Sequence, residues 1–183
     1  MKRALVFLAE GFEEVEALSV LDALKRGGVE VVSAAVGEKR EVKSSHGVVI
    51  TADRLVSDVK DEAFDLVFLP GGMPGSINLA QCWDVNEIVI RHFQSALVAA
   101  ICAAPAVVLG PAGLLEGRRA TCYPGCEEYF PGFGFSGEGV VEDGNIITAK
   151  SAAYAWPLGF VLVRRLMGDE TAERVRNSIY WAF

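Results

Sequence analysis

Four short apolar runs, each followed by a segment that could form a helix or a loop, constrain the fold of this chain more than any other feature. They are RALVFLA (3–9), VEVVSAAV (29–36), FDLVFLPGG (64–72) and SALVAAI (95–101). A strand that is apolar at consecutive positions is buried on both faces, as in a parallel sheet. We therefore predict an α/β fold, a mostly parallel sheet with helices on both faces, formed by one domain over residues 1–183.

The segments between the runs predict the remaining elements. Residues 13–26 have an acidic first turn, a basic last turn and a terminal Gly27-Gly28 pair, which is typical of a helix. Polar hairpins are predicted at 41–53 and in GVVEDGNIITA (139–149), and a loop in YFPGFGFSGEG (129–139). Further helices are predicted at 84–93, directly after Cys102, and near 153–167 and 169–179.

Composition excludes several classes of function. The net charge of −7 and the absence of a Lys/Arg cluster argue against nucleic-acid binding. The apolar run after Met1 is short and meets Glu10 directly, so we predict no signal peptide, no membrane span and a cytoplasmic protein. The four cysteines (82, 102, 122 and 126) predict neither a disulfide framework nor a zinc site, because no second Cys or His pair completes Cys122 and Cys126.

A candidate site lies where the predicted strands end, because reactive groups of open α/β sheets collect at the carboxyl ends of the strands. Cys102 follows the fourth run and is flanked by the small residues Ala100, Ala103 and Ala104. This spacing is typical of a strand-to-helix turn that exposes a nucleophile, and the amides of the new helix would lower the pKa of the thiol. The alternative is a buried cysteine that acts as a small hydrophobic residue.

Two further features fall at the same edge. Glu16 lies on the flank of the apolar face of the first helix, where burial would raise its pKa and let it share a proton with the thiol. Glu13 and Glu14 are explained by helix stabilisation alone. The glycines of LPGG allow the Gly72 N–H to form an oxyanion hole with the Ala103 N–H.

The histidines argue against a Cys–His enzyme. His46 lies in the first predicted hairpin and His92 in a charged helix, and neither follows Cys102 in the chain. We interpret both as solvated side chains. A downstream histidine base, as in amidotransferases and cysteine proteases, therefore cannot be assembled in the usual chain order.

Taken together, AEGFEEVEAL (9–18), DLVFLPGG (65–72) and the segment 99–109 around Cys102 resemble, in order and spacing, the DJ-1 branch of the ThiJ/PfpI family. The resemblance implies a flavodoxin-like three-layer sandwich, a homodimer, and a cysteine nucleophile elbow that needs no cofactor or metal. By position it assigns Cys102 as the reactive cysteine, Glu16 as its proton partner, and Gly72 and Ala103 as backbone donors.

The chain departs from the family pattern at the mouth of the implied pocket, whose rim comprises His46, Gly71 and Tyr123. Tyr123-Pro124 stands where relatives often have His-Pro, KSAAYA (150–155) where they often have RGPGT, and His46 in place of a basic residue. Members of this family have been described as glutathione-independent glyoxalases, deglycases, redox sensors and chaperones. We expect an enzyme acting on a small dicarbonyl such as methylglyoxal.

Two other functions remain open at the level of sequence. Cys102 could instead be a sensor that is oxidised to sulfinic acid without turnover, and the same two side chains would serve this role. A chaperone could use Tyr129, Phe130, Phe133 and Phe135 as an apolar surface, although a buried loop cluster explains these aromatics equally well.

Overall fold

The computed structural model describes residues 1–182 and is organised around one twisted sheet. The strands, in chain order, are β1 (Arg3–Leu8), β2 (Glu30–Ala35), β3 (Glu41–Lys43), β4 (Val49–Thr51), β5 (Arg54–Leu55), β6 (Leu66–Leu69), β7 (Leu97–Ile101), β8 (Val140–Asp143) and β9 (Ile146–Ala149). Within these residues, seven strands form the main sheet in the order β5-β2-β1-β6-β7-β9-β8. All neighbours are parallel except β8 and β9. This confirms the predicted fold class.

Helices surround the sheet at α1 (Glu14–Arg26), α2 (Val56–Val59), α3 (Gly75–Gln81), α4 (Trp83–Phe93), α5 (Ala155–Met167) and α6 (Asp169–Ser178). α2 and α3 were not predicted from the sequence. The first is a single turn, and the second begins after Pro74 with Gly75, a poor helix former that hides the start of the helix. β3 and β4 pair with each other as the predicted hairpin, which forms a separate two-stranded sheet.

The segment after Cys102 is wound differently from the α-helix that was predicted. Residues Pro105–Leu109 form a π-helical turn, in which the Gly110 amide donates to the Pro105 carbonyl at 3.0 Å. A hydrogen bond five residues back marks this wider turn, which occurs frequently at functional sites. Three 3₁₀ residues before α5 (Ala152–Tyr154) and four at Cys126–Tyr129 complete the regular structure.

Both faces of the sheet are covered, as a three-layer sandwich requires. Along β1, Val6 and Leu8 belong to the core that packs against α1 and α5, while Leu5 and Phe7 belong to the core on the α4 side. Alternate residues of the same strand therefore enter opposite cores. α1 and α5 approach so closely that a Cβ on Gly159 would lie 2.7 Å from the Cβ of Ala23.

Strand order places the three candidate segments next to one another. β6 lies between β1 and β7, and Leu69 pairs with Ala100 in the parallel ladder. Gly71 and Cys102 each follow this pair by two residues, so they lie side by side at the end of the sheet. The loop after β1 and the start of α1 lie on the other side of β6, so α1 reaches the same edge.

Candidate active site

Cys102 occupies a strained turn at the end of β7. Its φ is +63°, and Tyr180 is the only other non-glycine residue of the described chain with a positive φ. The backbone holds this conformation from both sides, because the Cys102 amide donates to the Ala149 carbonyl at 2.9 Å and the Cys102 carbonyl accepts from the Tyr123 amide at 2.8 Å. Ala103 and Ala104 are buried beside it. A left-handed non-glycine residue costs about 1–3 kcal/mol and is concentrated at functional sites.

Glu16 lies against the thiol in the interior of the protein. Its side chain comes from the first turn of α1, and the residue is 1% exposed, more deeply buried than its predicted place on the flank of the helix. One carboxyl oxygen, Oε2, accepts from the Gly71 amide at 2.9 Å. The carboxyl also lies against Cys102 and interacts with its thiol. The structure thus brings together the two side chains that the sequence analysis selected.

The two glycines after β6 allow this close approach. A Cβ on Gly71 would lie 2.5 Å from the Cys102 Cβ and 2.5 Å from Glu16 Oε2, so no side chain fits there. Gly72 has a φ of +90°, which favours glycine. The amides of Gly72 and Ala103 both act on the Cys102 sulfur and lower the pKa of the thiol. The two predicted backbone donors therefore converge on one atom.

The electrostatics of the pair differ from the expectation. Burial raises the pKa of Glu16 to about 7; the interaction with the Cys102 thiol opposes the rise, and the nearby Glu13 charge adds to it. For the thiol, we predicted a lowered pKa, and this was wrong. Burial raises the pKa of Cys102, and an ionised Glu16 raises it further, more than the Gly72 and Ala103 amides lower it.

The predicted rim residues differ in their burial and in their contacts with the Cys102–Glu16 pair. Gly71 lies inside the site, whereas Tyr123 is exposed and contacts Cys102 through its backbone. The side chain of His46 is 69% exposed, as predicted, and its Nδ1 lies 3.0 Å from Glu14 Oε1. In the described chain, Glu13, Glu14 and His46 are the residues whose potential metal-ligand atoms gather within 4.8 Å of one another. Because His46 is distant from Glu13 and Glu14 in the sequence, this cluster was not predicted.

His92 is not solvated, which corrects the sequence interpretation. The residue is 4% exposed, its Nε2 accepts from the Phe64 amide at 3.1 Å, and its Nδ1 lies 2.7 Å from the Ile88 carbonyl. A neutral ring with hydrogen on Nδ1 satisfies both contacts. The sequence did carry a signal, because His92 continues the buried α4 stripe of Val85, Ile88 and Val89 at helical spacing.

The remaining cysteines and aromatic residues form no second reactive centre in the part of the chain that is described. All four cysteines are free thiols, and Cys122 is buried. Of the loop aromatics, Phe130, Phe133 and Phe135 are half-buried and pack against the core. Of the two interpretations of this loop, an apolar surface or a packed cluster, the structure shows the packed cluster, and Tyr129 is exposed.

A groove lies away from this pair. It has a volume of about 770 Å³ and runs between α5 and α6, with Pro157, Phe160 and Val161 among its apolar walls. No reactive pair faces it among its lining residues. Helices long and apolar enough to cross a membrane are absent from residues 1–182.

The chain is similar to known proteins of one family. The model of the DJ-1/PfpI family matches residues 2–165. Protein DJ-1 homolog B of Arabidopsis thaliana is 40% identical over 180 residues, which are 97% of this chain and 41% of that protein. The chain thus spans less than half the length of this relative and of Arabidopsis homolog A.

Two further proteins match this chain along nearly their whole length. A Caenorhabditis elegans protein named glutathione-independent glyoxalase DJR-1.2 is 34% identical over 92% of this chain and 91% of its own. The structure described as oxidized Toxoplasma gondii DJ-1 superimposes with a TM-score of 0.96 at 35% identity, and the match covers 100% of both chains.

Proposed function

Because the chain belongs to the DJ-1/PfpI family, we propose that it is a glutathione-independent glyoxalase that converts methylglyoxal or glyoxal into a 2-hydroxy acid. One observation carries the proposal: a half-buried thiol that lies against a buried carboxyl and beside two backbone amides that favour its ionised form. The relative named a glutathione-independent glyoxalase supports the same substrate class. A deglycase would use the same aldehyde chemistry on a different substrate.

The first step is addition of sulfur to the aldehyde. The proton of the Cys102 thiol passes to Glu16, the sulfur attacks the aldehyde carbon, and the carbonyl π electrons move to oxygen. The Gly72 and Ala103 amides, which favour charge on the sulfur in the resting protein, would donate to this new oxyanion. Glu16 then returns its proton to the oxygen, which completes a hemithioacetal.

The second step moves hydrogen between the two carbons of the dicarbonyl. Glu16, again ionised, removes the proton from the former aldehyde carbon and delivers it to the neighbouring carbon. The hydroxyl on the former aldehyde carbon gives up its proton and becomes a carbonyl, and the second oxygen takes up that proton. The product is a thioester of Cys102 with a 2-hydroxy acid. Water hydrolyses this thioester and restores the thiol, so the net reaction is methylglyoxal plus water to lactate. A carboxyl whose pKa is raised to about 7 can act as both acid and base near neutral pH.

A methylglyoxal assay without glutathione tests this proposal. Wild-type protein should consume methylglyoxal and release an equal amount of lactate, whereas Cys102→Ala and Glu16→Gln should lose this activity by at least a hundredfold. Cys82→Ser is the matched control, since it removes a half-buried sulfur outside the site. If the wild type produces no lactate, or if Cys102→Ala produces it equally fast, the proposal is wrong.

A redox sensor is the second candidate, and the similarity to an oxidized DJ-1 structure favours it. Hydrogen peroxide would transfer one oxygen to the Cys102 thiolate and leave as water, giving a sulfenate, and a second equivalent would give the sulfinate. A protonated Glu16 could donate a hydrogen bond to that sulfinate. Peroxide treatment followed by intact mass should show two oxygens on the wild type and none on Cys102→Ala. Equal oxidation of the two proteins would exclude this candidate.

We also propose that the chain forms a homodimer. Exposed apolar side chains lie on α1 (Val15 and Leu18) and on the neighbouring hairpin (Val48 and Val49), and the His46–Glu14 contact joins these two elements. Light scattering after gel filtration should give twice the monomer mass for the wild type and the monomer mass for Val49→Asp. A monomeric wild type would contradict the proposal. A cytoplasmic location stays a prediction.

A further inference from the structure

Glu13 closes a ring of three hydrogen bonds around the candidate site. Its amide donates to the Gly71 carbonyl at 2.9 Å, the Gly71 amide donates to Glu16 Oε2 at 2.9 Å, and the Glu16 amide donates to Glu13 Oε2 at 2.6 Å. The ring joins the start of α1 to the end of β6. It therefore fixes the position of the Glu16 carboxyl relative to the glycines that lie beside Cys102.

Glu13 also places a negative charge next to Glu16. Its side chain is 14% exposed, so water screens it only in part. The groups that face Glu16 are the Cys102 thiol, the Gly71 amide and the Glu13 carboxylate, and Cys126 is electrostatically coupled to it. The groups that face Glu13 on its other side are Glu14 and the exposed His46, whose Nδ1 lies 4.0 Å from Glu13 Oε1.

This placement affects how the pair shares one proton. A singly ionised pair exists in two forms, with the charge either on the Glu16 carboxylate or on the Cys102 sulfur. The Gly71 amide favours charge on Glu16, and the Gly72 and Ala103 amides favour charge on sulfur. The negative Glu13 acts directly on Glu16. Repulsion between like charges then disfavours the carboxylate form and leaves more of the thiolate form.

We propose that Glu13 is a positioning residue that directs the negative charge of the Cys102–Glu16 pair onto the sulfur. It does so by holding Glu16 in place through the ring and by repelling charge from its carboxyl. The inference concerns the same two residues as the proposed function and rests on that function for its catalytic meaning. Its physical content, the reactivity of the thiol, can be measured without any substrate.

The experiment is the rate of Cys102 alkylation by iodoacetamide, followed by intact mass from pH 5.5 to 9. Glu13→Gln and Glu13→Ser both remove the charge while keeping an oxygen that can accept from the Glu16 amide. Both variants should alkylate about threefold to tenfold more slowly at pH 7. Glu13→Asp keeps the charge and a good capping group, and should stay within about twofold of the wild type.

Glu10→Gln is the matched control, because it removes an equal charge from an exposed residue whose carboxylate accepts from the Lys43 amide rather than from Glu16. It should alkylate at the wild-type rate. The pH dependence of the Glu16 carboxyl ¹³C shift provides a second readout. Glu16 should lose its proton at a lower pH in Glu13→Gln than in the wild type.

A purely structural cap gives a different pattern. Glu13→Gln and Glu13→Ser would then match the wild type in both the alkylation profile and the Glu16 titration, and this result would overturn the inference. Failure of the proposed function can be distinguished from failure of this inference, because a protein that makes no lactate from methylglyoxal can still show the expected dependence of alkylation on the charge at position 13.

Discussion

Replacing Gly71 by alanine tests whether the close approach of Cys102 and Glu16 depends on a missing side chain. The new methyl group would lie 2.5 Å from the Cys102 Cβ, 2.5 Å from Glu16 Oε2 and 2.9 Å from the Ile101 carbonyl oxygen. Ordinary contacts of a Cβ begin near 3.4 Å. Two of the three neighbours must therefore move by almost an ångström, and the third belongs to the backbone of β7.

The cost can be worked out from this overlap. Overpacking a filled interior by one methyl group costs about 1–3 kcal/mol. For a chain of this size, a loss of about 2 kcal/mol lowers the melting temperature by about 4–8 °C. Relief of the overlap separates Glu16 from the thiol and displaces the Gly71 amide from the carboxyl. We therefore expect Cys102 alkylation at pH 7 to change by at least about tenfold, since hydrogen bonds to charged groups contribute about 1.5–3 kcal/mol.

The assay compares Gly71→Ala with Gly134→Ala in thermal unfolding and in iodoacetamide alkylation. Gly134 is a suitable control because no heavy atom lies within 4 Å of its added Cβ and its φ is outside the left-handed region. The control should match the wild type in both measurements. If Gly71→Ala melts and alkylates as the wild type does, the packing argument for the site is refuted.

Three further substitutions test other parts of the structure. Burial lowers the pKa of His92, so the neutral ring stabilises the fold above about pH 6.5, the value for unfolded histidine, and this stabilisation is lost as the pH falls below it. Between about pH 7 and pH 5, the free energy of unfolding in urea should therefore fall less in His92→Phe than in the wild type. An equal fall in the two proteins would contradict this. Gly159→Leu should lower the free energy of unfolding by about 1–3 kcal/mol, because its Cβ would meet Ala23, and an unchanged urea midpoint would argue against that contact. Thr148→Val should cost about 1–3 kcal/mol in thermal unfolding, because the buried Thr121 amide loses its acceptor, and an unchanged melting temperature would show that another acceptor replaces it.

The strands and the place of the site could be predicted because both depend on short-range sequence patterns. Continuous apolar runs identified β1, β2, β6 and β7, and parallel strands necessarily bring their carboxyl ends to one edge. The fold then required the segments after β1, β6 and β7 to meet. Cys102, Glu16 and the two glycines were selected on that basis, and the structure brings them into contact.

The predictions that were missing or wrong concern features that tertiary contacts determine. The helix α3 has little periodic signal, and its glycine start is stabilised by close packing, since a Cβ on Gly75 would collide with the backbone of Phe12. The thiol pKa was predicted from the local helix alone. The larger contributions, burial and the carboxyl of Glu16, come from elements distant in the chain. A sequence shows the residues near a turn, but it does not show how much water the fold removes from it.

That removal of water explains why the site needs more than a cysteine and an acid. Burial raises the pKa of both groups, so by itself it would leave a neutral and unreactive pair. The fold supplies a carboxyl that can accept the thiol proton at contact distance, and two amides that stabilise charge on the sulfur. Reactivity then depends on where the remaining charge lies rather than on the pKa of either group alone. Small changes around Glu16, such as the charge at position 13 or a methyl group at position 71, should therefore alter the chemistry of Cys102 without altering the cysteine itself.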